Sequence, residues 1–259
     1  NQVYLFIKNA IFLVLLLLFA GSISLYAQNP SQLDVLTTEQ GLLFRDVTSI
    51  TQDGNGGMWF GTDLGLARYD GYHFKVYNND KNNLFYIEDD LITNGMVTDD
   101  TGEYVWFMAN EKLFKLEIST DNITAYQDIG GNALLLHKTA DGSIWIMTDD
   151  YLKTNGGQKK LRLQKLVNGA FVEILSIPQY KYAYNRLISD MDGFIWWNTS
   201  LGTYKIDPNG DVLETFNFES YDWFGQQLSF TASFFDSCNN HYYFPQQERG
   251  IFKFDEATK

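Results

Sequence analysis

The sequence contains little cysteine, proline, histidine or positive charge. Its single cysteine, Cys238, excludes an internal disulfide framework and a multi-cysteine zinc site. We expect this thiol to be structural, because no Cys-His signature surrounds it. Lys and Arg number 19 against 32 Asp and Glu, so the net charge is −13. Nucleic-acid binding relies on clustered Lys and Arg, and we therefore expect no nucleic-acid contact by this chain.

Residues 1–27 are typical of an export signal. Lys8 precedes a twelve-residue apolar run from Ala10 to Gly21, and the small residue Ala27 follows. A membrane-spanning helix needs about 20 apolar residues, so we predict cleavage after Ala27, with an uncleaved anchor as the alternative. Export without disulfides suits a bacterial periplasm or outer surface. The chain begins at Asn1 rather than Met, and we expect it to be part of a longer protein.

Only four prolines are present, and no long helical period follows the leader. Short aromatic and β-branched runs instead alternate with Asp, Asn and Gly clusters, which indicates an all-β fold. The pattern also repeats, with an apolar strand, an acidic turn and a strand centred on an aromatic residue in each copy. The five central aromatic residues lie 47, 39, 51 and 47 residues apart and are Trp59, Trp106, Trp145, Trp196 and Tyr243.

The first copy shows what one unit builds. A strand at Val47–Gln52 ends at Asp53, and the glycines that follow supply the positive φ values of a tight hairpin turn. The tryptophan strand comes next, then a strand at Leu66–Tyr69 and a fourth at His73–Tyr77. Four antiparallel strands in about 45 residues make one propeller blade. The sequence therefore predicts a β-propeller over residues 36–259, with about five four-stranded antiparallel blades.

The segment from Thr37 to Tyr77 resembles the two-component-regulator propeller repeat. The resemblance rests on Val-x-x-Ile-x-x-Asp, Gly-x-x-Trp-Phe-Gly-Thr and Gly-Leu-x-Arg-Tyr-Asp-Gly, which occur in this order. This repeat is found in periplasmic sensor regions of bacterial hybrid histidine kinases. The later copies keep the central aromatic residue but lose Gly-Thr and Arg-Tyr-Asp, so they resemble the family less closely.

The resemblance implies a large sensor. Five blades would be part of a seven-bladed ring, and an open arc exposes a blade face and strand edges. The region would detect an oligosaccharide or polysaccharide and pass its occupancy to a kinase. The parent protein would be a homodimer anchored in the inner membrane, with its tether in a part that is missing from this sequence. No cofactor is implied.

Residues that could carry chemistry have structural interpretations. A large aromatic residue at the same position of every copy favours packing between blades over stacking on a sugar. Arg68 could clamp the carboxylate of an acidic ligand through its paired donors, but we favour an ion pair with a nearby acid at the strand end. Gly61, Thr62 and Gly65 are interpreted as strand-end and turn geometry.

Aromatic loops between the copies provide the remaining candidate ligand contacts. Binding residues often lie on loops of a rigid scaffold, and two of the stretches between the copies contain aromatic residues that we expect to be exposed. The residues are Tyr182, Tyr184, Tyr221 and Trp223.

The acidic doublets are candidates for two functions, metal binding and glycoside hydrolysis. A calcium loop of the Asp-x-Asn type needs a later bidentate glutamate, and the first copy has Leu64 there. A glycosidase needs two carboxylates about 5 to 10 Å apart, with one pKa raised, and no pair stands out. We interpret the doublets as solvated turns and predict neither a metal site nor a catalytic site. The doublets are Asp89-Asp90, Asp99-Asp100 and Asp149-Asp150.

Three functions remain open on the sequence. The favoured one is a periplasmic ligand-sensing propeller of a two-component signalling protein. The alternatives are a secreted propeller enzyme that acts on polysaccharide, and a structural or adhesive surface propeller.

Overall fold

The structure, a computed structural model, describes residues 35–42, 46–150, 160–178, 186–199, 202–217, 234–236, 241–246 and 250–255. These ranges contain 19 strands and one 3-10 turn at Thr38–Gln40. The chain divides into Asn1–Leu36 and Thr37–Lys259, and every strand lies in the second unit. No helix within the described ranges has the length and hydropathy needed to cross a membrane. The predicted signal at 1–27 and Cys238 lie outside the described residues.

The strands form four four-stranded antiparallel sheets and one three-stranded sheet, which we number as blades 1 to 5. Blade 1 contains β1 (Val47–Gln52), β2 (Met58–Thr62), β3 (Gly65–Tyr69) and β4 (Phe74–Tyr77). Blade 2 contains β5 (Ile92–Thr98), β6 (Tyr104–Ala109), β7 (Lys112–Glu117) and β8 (Asn122–Tyr126). Blade 3 contains β9 (Asn132–Lys138), β10 (Ile144–Asp149), β11 (Lys160–Val167) and β12 (Ala170–Pro178). Blade 4 contains β13 (Arg186–Ser189), β14 (Ile195–Asn198), β15 (Gly202–Ile206) and β16 (Val212–Asn217), and blade 5 contains β17 (Phe234–Asp236), β18 (His241–Gln246) and β19 (Gly250–Asp255).

Each sheet pairs its strands in chain order, as an antiparallel meander does. The first strands of successive blades contact one another, β1 with β5, β5 with β9, and β13 with β17. They are therefore the inner strands of the array. The fourth strands of blades 1 to 4 form the outer edges.

Each blade has two chemically different faces, because successive side chains of a strand point to opposite sides. We call the face that carries the central aromatic residue the front face and the opposite one the back face. In blade 1, Trp59, Leu66 and Tyr77 of the front face share one buried cluster with Val105 and Phe107 of the back face of blade 2. The hydrophobic core is therefore a series of interfaces between front and back faces.

The same interface recurs along the array. Trp106 and Met108 of blade 2 pack with Ile144 and Ile146 of blade 3. Trp145 of blade 3 packs in the same manner with blade 4. The ring centres of Trp196 in blade 4 and Tyr242 in blade 5 lie 4.0 Å apart. The tryptophans are thus core residues.

The predicted all-β class and four-stranded antiparallel blades are confirmed. The predicted first strand matches β1 at both ends, and Leu66–Tyr69 falls within β3. The described sheets do not close into a ring. A total of seven blades stays a prediction.

Candidate ligand-binding sites

Arg68 belongs to a hydrogen-bonded network centred on Asp53. The Asp53 carboxylate is fully buried and accepts hydrogen bonds from Arg68 Nε at 2.8 Å and Trp59 Nε1 at 2.9 Å. It also accepts from the backbone N–H groups of Asn55 and Gly57, at 2.9 and 2.8 Å. The turn that follows β1 is therefore tied to both β2 and β3. The ion pair expected for Arg68 is present.

These contacts keep Asp53 ionised. Burial alone would raise the pKa of the Asp53 carboxyl, but the hydrogen bonds from Arg68, Trp59 and Gly57 outweigh burial and lower the pKa below its usual value. The ionised carboxylate in turn neutralises Arg68, whose side chain is 25% exposed. An acidic ligand at Arg68 would have to compete with a carboxylate that is already in place.

The other blades also have a basic residue at the position of Arg68, opposite the central aromatic residue. Arg68 lies directly opposite Trp59 in the β2–β3 pair, with its guanidinium carbon 5.7 Å from the Trp59 ring centre. Blades 2, 3 and 4 each place a lysine Nζ 5.3 Å from the tryptophan at the same register. The equivalent pairs are Trp106 with Lys115, Trp145 with Lys165, Trp196 with Lys205 and, by register alone, Tyr243 with Lys253.

The recurrent pair explains what Arg68 does in this fold. A cation over an aromatic face contributes about 0.5–1 kcal/mol at partly exposed sites, and its alkyl stem covers the ring edge. The sequence carried a signal for it, since the cation stands nine residues after the tryptophan in blades 1, 2 and 4. We therefore assign Arg68 to blade packing.

The four aromatic loop candidates, Tyr182, Tyr184, Tyr221 and Trp223, lie outside the described residues. Their assignment as ligand contacts stays a prediction.

The acidic doublets have different environments. Asp99 and Asp100 lie in the β5–β6 turn, where the Asp100 carboxylate is 61% exposed and pairs with Lys138 of blade 3 at 2.8 Å. Asp89 accepts from Lys112 Nζ at 2.6 Å and from Asn110 Nδ2 at 2.8 Å.

The prediction of a solvated turn is wrong for Asp149 and Asp150. Asp149 is the last residue of β10, and both side chains are buried. Asp150 binds Arg162 at 3.0 Å and the backbone N–H of Lys160 at 2.6 Å. Asp150 contacts the start of strand β11, which begins ten residues later in the sequence, and these contacts bury the doublet. Across the described part of the chain, no three His, Cys, Asp or Glu side chains are grouped as a metal site requires.

A groove between blades 2 and 3 is a site that the sequence did not indicate. It encloses about 460 Å³, within the range of small-molecule pockets. Its walls come from the start of β5, the β6–β7 turn and the start of β9. The lining residues are Leu91, Thr93, Asn110, Glu111, Ala133 and Leu134.

Irregular backbone shapes this groove. Asn110 and Glu111 form a two-residue turn with φ values of 46° and 63°, the pattern of a type I′ hairpin turn. The Glu111 carbonyl accepts from the N–H of Ala133 at 2.6 Å, so this turn is fixed to blade 3. The pairing of β5 with β6 also shifts register between Ile92 and Met96, and such bulges re-aim side chains. The groove is therefore built into the junction of the two blades.

Comparisons with known proteins bear on the first blade and on the fold. Residues 41–63 match the family described as two component regulator propeller. No curated protein matches the sequence.

Solved structures with similar folds include two extracellular domains of B. thetaiotaomicron, BT3049 and BT4673, both described as putative hybrid two component systems. They are 17% and 18% identical to this chain, cover 86% of it in each case, and have TM-scores of 0.45 and 0.47. The chain spans about a third of these domains, 35% and 33%. Kuenenia stuttgartiensis hydrazine synthase is 9% identical to this chain and has a TM-score of 0.55. The alignment covers 80% of this chain and 63% of the hydrazine synthase chain. This last likeness shows the fold alone.

The matched residues extend from the turn before β1 through β2 and include Asp53 and Trp59, two of the three side chains of the Asp53 network. The first half of blade 1, with β1 and β2, therefore matches a two-component regulator propeller repeat.

Proposed function

We propose that this chain is the ligand-sensing propeller region of an exported two-component signalling protein, and that its ligand is an oligosaccharide or polysaccharide. One observation carries the proposal. Residues 41–63, which contain β1 and β2 of blade 1, match the two-component regulator propeller repeat, and four further antiparallel sheets that pair their strands in chain order follow blade 1. The leader-like residues 1–27 support a position outside the cytoplasm.

Two buried carboxylates among the described residues are held in ion pairs and are unsuited to acid catalysis. The buried carboxylates of Asp53 and Asp150 are each held by an arginine at 3.0 Å or less. A general acid needs a raised pKa, whereas the pKa of Asp53 is lowered. The parent protein would supply the kinase, its membrane tether and its dimer contacts.

The reading frame beyond Lys259 tests the signalling part of the proposal. We expect a membrane helix and then a phosphoacceptor-histidine helix in the same polypeptide. A stop codon after further blades, with neither helix, would contradict signalling and favour a secreted enzyme or a surface adhesin.

A second experiment separates sensing from hydrolysis. The purified chain is incubated with a panel of polysaccharides of different backbone chemistry, and both ligand binding and the formation of new reducing ends are measured. Sensing predicts saturable binding without new reducing ends, while turnover of any polysaccharide would favour the enzyme.

A further inference from the structure

We propose that the groove between blades 2 and 3 binds a compact polyhydroxylated ligand that is neutral or carries an ammonium group, and that it rejects anionic ligands. This inference rests on the proposed function, because it assigns the sensed ligand to a place and a charge class. The groove lies wholly within residues 91–134, and none of the aromatic loops predicted as contacts contributes to it.

The first argument is the balance of hydrogen-bonding groups. Among the described residues the Glu111 carboxylate has no partner. The Asn110 amide donates its N–H to Asp89, which leaves its carbonyl oxygen as an acceptor. The Thr93 hydroxyl can accept or donate. The groove therefore offers mostly acceptors, and a ligand rich in O–H or N–H donors complements them.

The second argument is charge. None of the six lining residues is basic, and the nearby Lys112 is already paired with Asp89 at 2.6 Å. An anion would thus face Glu111 without a compensating cation, and like charges at short range are repelled. An ammonium group at the same place would be attracted instead.

The third argument is shape. Leu91, 41% exposed, and Leu134 provide aliphatic surface beside the polar groups. A sugar ring presents C–H groups on its faces and hydroxyls at its rim, so it can contact both kinds of surface. Ligand pockets combine such apolar walls with a few placed polar groups.

The Glu111 and Ala133 backbone contact fixes this arrangement before a ligand arrives. Because the turn is already held by a 2.6 Å hydrogen bond to the next blade, the backbone from which the Glu111 side chain extends is fixed at the groove. Pre-organisation of this kind lowers the entropy lost on binding.

The test uses two sugar series, each with one ring configuration and a neutral, a cationic and an anionic member: glucose, glucosamine and glucuronate, and galactose, galactosamine and galacturonate. Binding to the purified full chain is measured by ligand-observed saturation-transfer NMR at pH 7. We expect saturable binding with a dissociation constant below about 10 mM in at least one series, with the amino sugar tightest and the uronate absent. Equal binding of the uronate, or no saturable binding in both series, would overturn the proposal.

Two variants locate the binding. Glu111→Gln keeps the shape of the side chain and should remove the preference for the amino sugar, about two- to fivefold for one partly exposed ion pair. Thr93→Val removes a hydroxyl at constant shape and should weaken all sugars that bind. Glu103→Gln is the matched control, since Glu103 is an exposed acid in the turn at the opposite end of β6. It should change neither the preference for the amino sugar nor the affinity for the other sugars. A preference that persists in Glu111→Gln places binding elsewhere.

The outcome is independent of the reading-frame test. If the frame encodes a kinase but the groove binds no sugar, only the groove assignment fails. If the groove binds and no kinase follows, the site stands and the signalling proposal fails.

Discussion

Asp53 is the residue on which the polar contacts of blade 1 converge. Its replacement by alanine leaves the Trp59 N–H and the Arg68 guanidinium without their shared acceptor in a largely buried place. We expect Asp53→Ala to lower the free energy of unfolding by about 2–4 kcal/mol, because unpaired buried donors pay their full desolvation cost. Urea unfolding measures the loss. Asp46→Ala, at an exposed acid just before β1, is the control, and equal losses in both variants would contradict the network.

Blade 3 lacks the residue that Asp53 provides in blade 1. The turn position six residues before the tryptophan is Asp53 in blade 1 and Asp190 in blade 4, but Thr139 in blade 3. Trp145 Nε1 is buried without a hydrogen-bond partner, whereas Trp59 Nε1 of blade 1 donates to Asp53 at 2.9 Å. In blade 4 the acid at this position, Asp190, accepts from the hydroxyl of Tyr242 at 3.0 Å. The Thr139 hydroxyl is directed to Asp141 and Ser143 of its own turn.

Restoring the acid should therefore stabilise blade 3. We expect Thr139→Asp to raise the free energy of unfolding by about 1 kcal/mol, the net value of one hydrogen bond. The turn tolerates two acids, because blade 4 carries Asp190 and Asp192 at the equivalent positions. Thr139→Ala, which provides no acceptor, is the comparison, and a urea midpoint that falls in both variants would refute this explanation of the orphaned indole.

His137 should make stability depend on pH. Burial lowers the pKa of this histidine from 6.5 to about 4, and its Nε2 lies 2.9 Å from Ser189 Oγ across the junction of blades 3 and 4. Between these two pKa values the unfolded chain binds the proton and the folded chain does not. The contribution of neutral His137 is thus complete above about pH 6.5 and is lost as the pH falls towards 4.

The size of this effect is at most about 3 kcal/mol, at 1.36 kcal/mol per pKa unit. Urea midpoints of the wild type and His137→Gln are compared between pH 7 and 4, and the difference isolates this residue from the carboxylates. A constant difference across that range would show that His137 does not carry the dependence.

At the scale of strands and turns, much of blade 1 could be predicted. Alternation and the Asp-Gly turns define β1 to within a residue, because turn chemistry and side-chain period act locally. The cation opposite Trp145 was harder to predict. Lys165 stands 20 residues after the tryptophan, so only the strand register reveals the pair. The groove could not be predicted from the sequence for a similar reason, since its walls come from three separate segments.

The turns of neighbouring blades also interlock. Gly102, with φ of 70°, lies so close to blade 1 that a Cβ added to it would stand 2.4 Å from the Gly54 Cα. We expect Gly102→Ala to cost about 2–4 kcal/mol, of which about 1 comes from the positive φ and the rest from overpacking. Gly130→Ala is the matched control, with φ of 74° and open space around the added methyl. Equal costs by thermal or urea unfolding would show that the close approach contributes nothing.

At the scale of the whole molecule, the back face of blade 1 differs from the back faces of blades 2 to 4, which are covered. The residues flanking the tryptophan are 0–3% exposed in blades 2 to 4, whereas Met58 and Phe60 of blade 1 are only half-buried and Ile50 is 57% exposed. No described sheet lies against this face. At the other end, Lys253 is exposed beside Tyr243 on the front face of blade 5.

These two ends are complementary in chemistry, since every internal interface joins a front face to a back face. We therefore expect residues 28–259 to associate head to tail, an arrangement that does not close and grows with concentration. Sedimentation velocity from about 1 to 100 µM measures it. Ile50→Glu should reduce association and change the free energy of unfolding by no more than about 0.5 kcal/mol, as surface substitutions do. Leu84→Glu, at a loop residue that is 93% exposed, should leave association unchanged, and a monodisperse wild-type monomer would show that this face needs no covering blade.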